Sequence, residues 1–346
     1  MVITGLIIVL LLVLAVPFIS RTVEENLEPF LFIMGLAASI ISGIMSKDLA
    51  LKALEEPIMI ASAVFIAGAL FYLLHDKFQT FINLILKRIP LAVFVFLTIT
   101  LLGMLSSVIT AIIASIVLVE IIYLLPLVRK QKIVVCIIAC FSIGLGAALT
   151  PIGEPLATIA ISKLDESFFY LLDLLGKYIF PALIAFGILG GVYVARSNKN
   201  SKQEDKTSDA AVQEEEVEQE TWKGIIIRAL KVYLFVMALV FLGEGFQPLI
   251  DKYVLGLSPQ LLYWVNMISA VLDNATLTAA EISRQMTDTQ VTAIIMGLLI
   301  SGGMLIPGNI PNIVSASKLR ISSKEWAVWG VPLGLVTMLI YFVILF

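Results

Sequence analysis

Apolar runs of 17 to 20 residues recur along this chain, the first over residues 2–20. Each matches the roughly 20 helical residues that cross a hydrocarbon core about 30 Å thick. A chain carrying several such runs folds as membrane-spanning helices and not as an ordinary soluble enzyme. The composition agrees: 60% of the 346 residues are apolar and only 14% are charged, where a soluble domain has about a quarter charged. One His and two Cys leave no material for a His-rich zinc site, a haem ligand pair or a disulfide framework. Cys136 and Cys140, four apart in an apolar stretch, read as small packing residues. No basic stripe supports nucleic-acid binding. The first run lacks a basic n-region and exceeds a usual h-region, so it reads as a span and not a signal peptide.

Further spans fall at about 28–46 and 56–75, and residues 75–88, where polar and apolar positions alternate, read as an interfacial amphipathic helix. From Pro90 to Pro126 the chain is apolar apart from a polar knot at Ser106, Ser107 and Thr110. The stretch 132–163 is too long for one straight crossing and too short for two, at about 1.5 Å per residue. Pro151 and Pro155 flank Gly153 within it, which predicts one interrupted crossing. A span over 168–195 comes next, and then 196–222 turns abruptly to Ser, Asn, Lys, Asp, Gln and Glu, the composition of a disordered linker. Beyond it come a span at 223–247, an apolar segment ending at Asp273-Asn274-Ala275-Thr276, a short return to Glu281, a second Pro-Gly interruption at 306–312, and a closing span at 326–346.

The two interruptions match. Gly146, Leu149, Pro151 and Pro155 align with Gly302, Leu305, Pro307 and Pro311, and Ser-Lys-Leu at 162–164 aligns with 317–319 after one gap. The chain therefore divides into two N-terminal transmembrane helices (1–55), a first repeat (56–195), a cytoplasmic linker (196–222) and a second repeat (223–346). Each repeat reads as span, surface helix, re-entrant hairpin, broken helix and span. Three crossings per repeat invert the second copy, and the side assignment puts fifteen Lys/Arg on one face against five on the other. That bias makes the first face cytoplasmic and leaves both termini outside. The fold class expected is an all-α polytopic membrane protein, an inverted-repeat transporter with two re-entrant hairpins and two interrupted transmembrane helices. Broken helices expose backbone groups that lipid does not satisfy, so the breaks must line a wet cavity or hold a ligand.

Two acids stand at these places: Glu154 in the first break and Asp273 at the second hairpin tip. A carboxylate at membrane depth is costly and marks function. With no Lys or Arg beside either break, the natural counter-charge is a cation or a proton. Ser106, Ser107, Thr150, Asn274, Thr276, Thr278, Asn309 and Asn312 add oxygens suited to a hard ion such as sodium. Glu120 reads as lying nearer the cytoplasmic surface, and Asp173 and Lys177, one turn apart, as a pair.

On the paired hairpin-and-break plan, on Ser269 to Thr276 and on Leu149 to Pro155, the chain resembles the ion-transporter superfamily. That group includes NhaD-type sodium/proton antiporters, arsenite pumps and sodium-coupled divalent-anion symporters. In detail it is closest to the small prokaryotic proteins labelled as predicted cation transporters. The resemblance covers about 56–346 and implies tips and breaks that jointly hold substrate and coupling ion, an elevator-like movement and a homodimer. The carboxylate importers carry Ser-Asn-Thr at each tip; here the first tip lacks Asn and the second carries an acid, which would repel a dicarboxylate.

The expectation is a secondary active cation transporter in a prokaryotic cytoplasmic membrane, performing sodium/proton antiport by alternating access. Asp273 and Glu154 would be the cation-binding acids, with Asn274, Thr276, Thr150, Ser106, Ser107, Asn309 and Asn312 around them. No cofactor is expected beyond sodium and protons as moved or coupling ions; the partners are a small inorganic cation and the lipid bilayer. A sodium-coupled symporter of a small anion is the alternative on the same scaffold. An enzyme is not expected, since no nucleophile–base arrangement is visible.

Overall fold

The structure, a computed structural model, describes residues 2–20, 22–23, 26–204, 221–253, 257–271, 274–282 and 284–346. All regular structure among them is helical. The first two helices are α1 (Val2–Ile19) and α2 (Leu27–Ser42). Next, α3 (Lys47–Leu86) takes in both the span expected at 56–75 and the surface helix expected at 75–88 as one continuous helix of 40 residues. No proline or glycine interrupts the ladder between them, so the expected boundary at residue 75 does not form. Then come α4 (Leu91–Ile109), α5 (Ala111–Leu124), α6 (Arg129–Ala147), α7 (Pro155–Leu164) and α8 (Tyr170–Glu204). The second half holds α9 (Trp222–Tyr253), α10 (Pro259–Val265), a 3₁₀ turn at Asn266–Ala270 and α11 (Asn274–Glu281). It closes with α12 (Asp288–Gly302), a 3₁₀ turn at Ile306–Gly308, α13 (Ile310–Leu319) and α14 (Ser323–Leu345).

Among the described residues, five helices are long and apolar enough to cross a membrane: Leu91–Ile109, Arg129–Ala147, Tyr170–Ser197, Trp222–Leu249 and Ser323–Leu345. Their burial differs sharply. The α6 window is 89% buried and the α14 window 28%, although both are strongly apolar, so α6 is a core helix and α14 a peripheral one. Every residue of α12 from Val291 to Gly302 is buried as well. Around these two, α8 and α14 turn Ile184, Ile188, Val336, Leu339 and Val343 outward. A belt of exposed aliphatic side chains on the outside of an apolar bundle is what lipid, and not water, accommodates.

Close helix packing rests on small residues. A methyl on Gly146 of α6 would overlap the Gly103 carbonyl of α4, and one on Gly245 would sit 2.7 Å from Ala38 Cβ. Gly therefore lets α4 approach α6, and α2 approach α9, at backbone distance. The N-terminal helix α2 packs along α9, as does α3. In two further packings the halves meet: α7 lies against α11, and α13 against α5. Each of the short helices α7 and α13 thus packs on a helix of the other half. The expected Asp173–Lys177 pair does not form; Lys177 Nζ lies over the Tyr178 ring, 4.8 Å from its centre.

Candidate functional site

The first break comes from local chemistry. Helix α6 ends at Ala147, Pro151 prevents its continuation, and the chain turns through Gly153. A Cβ on Gly153 would overlap the Ala147 carbonyl, so only glycine passes this close. Glu154 is extended (φ −155°, ψ 158°) and caps α7, whose first residue is Pro155; proline at that position loses no intrahelical hydrogen bond.

The turn between α4 and α5 is fastened to this break. Thr110 turns it at φ 73°, and Ala111 N donates to Gly153 O at 2.8 Å. Thr150 Oγ1 donates to Ser107 O. Ser106 Oγ reaches the carbonyls of Gly103 (2.7 Å) and Ile143 (3.0 Å), and Ser107 Oγ that of Met104 (2.9 Å). Ser106, Ser107, Thr150 and Glu154 are all buried. The three hydroxyls form one polar cluster in which their hydrogens point to backbone and the oxygens keep lone pairs, and Glu154 stands in the same break, four residues after Thr150.

The second break repeats this design. After α12 the chain passes the 306–308 turn, and Asn309 is extended (φ −155°, ψ 145°) as it caps α13. Asn312 Nδ2 donates to both Gly302 O and Leu305 O at 2.8 Å. One amide thus serves two carbonyls that the interrupted ladder leaves open. Asn274, at the start of α11, lies on Gly302, with Nδ2 and Oδ1 each 2.9 Å from where a Cβ would stand. Neither of those Asn274 atoms, nor Asn312 Oδ1, has a hydrogen-bond partner among the described residues, and all are buried. Asn309 Nδ2 lies against Gly144 of α6, so the second break abuts the first broken helix.

The structure therefore gathers Ser106, Ser107, Thr150 and Glu154 at one break and Asn274, Asn309 and Asn312 at the other. Thr278, the remaining hydroxyl, donates to Asn274 O within α11 at 2.8 Å. Asp273 and the side chain of Thr276 lie outside the described residues. Two features differ from expectation. Helix α4 has 19 residues, about 28 Å, long and apolar enough to cross a membrane, because no proline or charge interrupts 91–109. The other arm, α10 with its 3₁₀ turn, is far shorter. The matching of the breaks also shifts by one residue. Helix ends at Ala147 and Gly302, extended caps at Glu154 and Asn309, ten-residue helices, and left-handed C-caps at Asp165 and Arg320 all correspond at a separation of 155. On that register Gly153 meets Gly308, and the two Ser-Lys-Leu tripeptides align without a gap. Prolines drew the sequence alignment one position off, since a proline is tolerated at either of the first two helical positions.

A family described as "Protein of unknown function (DUF1646)" matches residues 3–346. The chain belongs to the DUF1646 family. No curated protein matches it. In this DUF1646 chain the helix pair that precedes each break carries its own register. Ser106 Oγ to Ile143 O recurs as Ser269 Oγ to Leu298 O (2.9 Å), and Ser115 Oγ to Ala111 O recurs as Thr278 Oγ1 to Asn274 O. Two buried polar residues of the DUF1646 chain were not legible in its sequence, Asn266 and Glu281. Glu281 stands beside Arg284 and Asp288 in a polar stretch, and nothing in the sequence separates a buried acid from its exposed neighbours. Glu120 is buried within the protein and pairs with Lys318 at 2.8 Å, a partner that the sequence did not show.

Proposed function

We propose that this DUF1646 protein is a secondary active transporter of a small cation, with sodium/proton antiport the reaction its site suits best. The scaffold we infer is a pair of inverted repeats whose breaks meet inside the bilayer, working by alternating access. The observation that carries this reading is the matched pair of helix breaks, each capped by an extended polar residue, Glu154 and Asn309, the first tied to the preceding turn through the Thr150 hydroxyl and the second closed by the buried Asn312 amide. The exchange of partners, α7 on α11 and α13 on α5, is what a pseudo-two-fold between inverted halves requires. Short arms at 259–270 and 274–281 suit a segment that enters and leaves on one side. Unpaired amide oxygens around Gly302 suit a ligand that accepts their lone pairs, and Glu154 with Asp273 supplies the negative charge. Cation and protons then compete for the same acids, which is how exchange is coupled. The cytoplasmic-membrane location, outside termini and homodimer stay with the charge bias and the resemblance.

Proteoliposomes test it. A sodium pulse is expected to drive proton efflux from vesicles holding the intact chain, and Glu154→Gln to lower that flux at least tenfold with the protein still folded. Absence of sodium-driven proton movement with the intact chain overturns antiport. One feature favours the anion symporter: a crevice of about 560 Å³ beside the second break is lined by Lys231, Arg320, Ser317 and Ser322, with Glu28 as its acid. Sodium-dependent uptake of a labelled carboxylate or phosphate would decide for that reading.

A further inference from the structure

Helix α11 turns Asn274, Thr278 and Glu281 inward at spacings of one and two turns, and all three are buried. Neither carboxylate oxygen of Glu281, at 1% exposure, has a hydrogen-bond partner among the described residues. The polar side chain beside it is Asn266, which is fully buried, points Nδ2 at Ile294 O (3.4 Å) and leaves Oδ1 without a partner. An ionised carboxylate in such a place costs several kcal/mol unless a positive charge joins it.

No described side chain supplies that charge. Helix α11 packs on α7, α9 and α12. On these elements and the adjoining loop, Lys163, Lys223 and Lys252 are exposed and Arg284 pairs with Asp165 at 3.1 Å. Lys231 pairs with Glu28, Glu244 pairs with Lys52, and Asp288 accepts from Tyr170.

The other half shows that the fold does not need this pair. The register set by Ser106/Ser269 and Ser115/Thr278 places Gly103 where the second half has Asn266, and Leu118 where it has Glu281. The same packing forms there with a glycine and a leucine; the second half alone puts an amide and an acid at these two positions.

We propose that Glu281 and Asn266 form a second small-cation site. It lies about 10 Å along α11 from Asn274, apart from the breaks, and would take a sodium-sized monovalent ion on oxygen ligands. This rests on the reading of the protein as a cation transporter. The test is equilibrium binding of radioactive sodium to the detergent-solubilised full chain, in wild type, Glu281→Gln, Glu281→Leu and Glu154→Gln. Both Glu281 variants are expected to bind one sodium fewer per chain, while Glu154→Gln keeps that ion. Glu281→Leu is also expected to melt higher than wild type in sodium-free buffer, because it removes an uncompensated charge and restores the other half's residue. Unchanged sodium binding in both Glu281 variants overturns this site and leaves the transporter reading standing. A lower melting temperature of Glu281→Leu without sodium marks a packing role and overturns it too. A wild type that binds no sodium overturns both.

Discussion

At Gly146 and Gly103 two helix backbones touch, and the neighbouring Ser106 hydroxyl donates across the same contact to Ile143 O. A side chain there has nowhere to go, because the atoms it meets are backbone and not the end of a flexible group. Gly146→Ala is expected to destabilise by about 1–3 kcal/mol, the usual cost of overpacking, and to pull the 106–110 turn away from the first break. Thermal unfolding in detergent checks the first effect; loss of sodium-dependent stabilisation checks the second. Ala139, two turns earlier inside α6 and also buried, is a control: Ala139→Gly should cost roughly 1 kcal/mol from lost helix propensity and leave ion dependence unchanged.

Between elements, the buried Glu120–Lys318 pair joins α5 of one half to α13 of the other. Each side chain is 8% exposed and the pair is 2.8 Å apart. Removing one partner strands the other charge, which costs about 3–5 kcal/mol, whereas an apolar pair of similar volume is often neutral. Lys318→Met is therefore expected to destabilise strongly, and Glu120→Leu with Lys318→Met to recover most of the loss. A double-mutant cycle on unfolding midpoints checks this, and no recovery in the double variant would show that the pair is not the contact that matters. The Ser-Lys-Leu repeat puts Lys163 at the matching place in the first half, but there the side chain is exposed. The same tripeptide thus serves burial in one half and the surface in the other.

For the whole molecule, the outward faces of α8 and α14 fix the orientation of the bundle toward its solvent. Val336 lies mid-helix in α14 and is 54% exposed. In water, Val336→Arg would be harmless or favourable. In a bilayer it places a charge near the centre of a span, at about 2.5–3.5 kcal/mol on insertion scales. Reduced membrane insertion of Val336→Arg, measured by alkaline extraction, is the expected outcome; equal insertion would move α14 out of lipid contact.

Helical class, the apolar spans, both Pro-Gly breaks and the acid and amides that stand at them were legible in the sequence, because they depend on composition, on length against bilayer thickness and on residues that cannot continue a helix. Glu154, Asn309 and Asn312 could be picked out for that reason alone. Burial of Asn266, Glu281 and Glu120, the one-residue shift in the matching of the halves, and the packing of each post-break helix on the opposite half were decided only in three dimensions. Those outcomes depend on which face of a helix meets which neighbour, and a glutamate reads the same in sequence whether that face meets water, lysine or nothing charged at all.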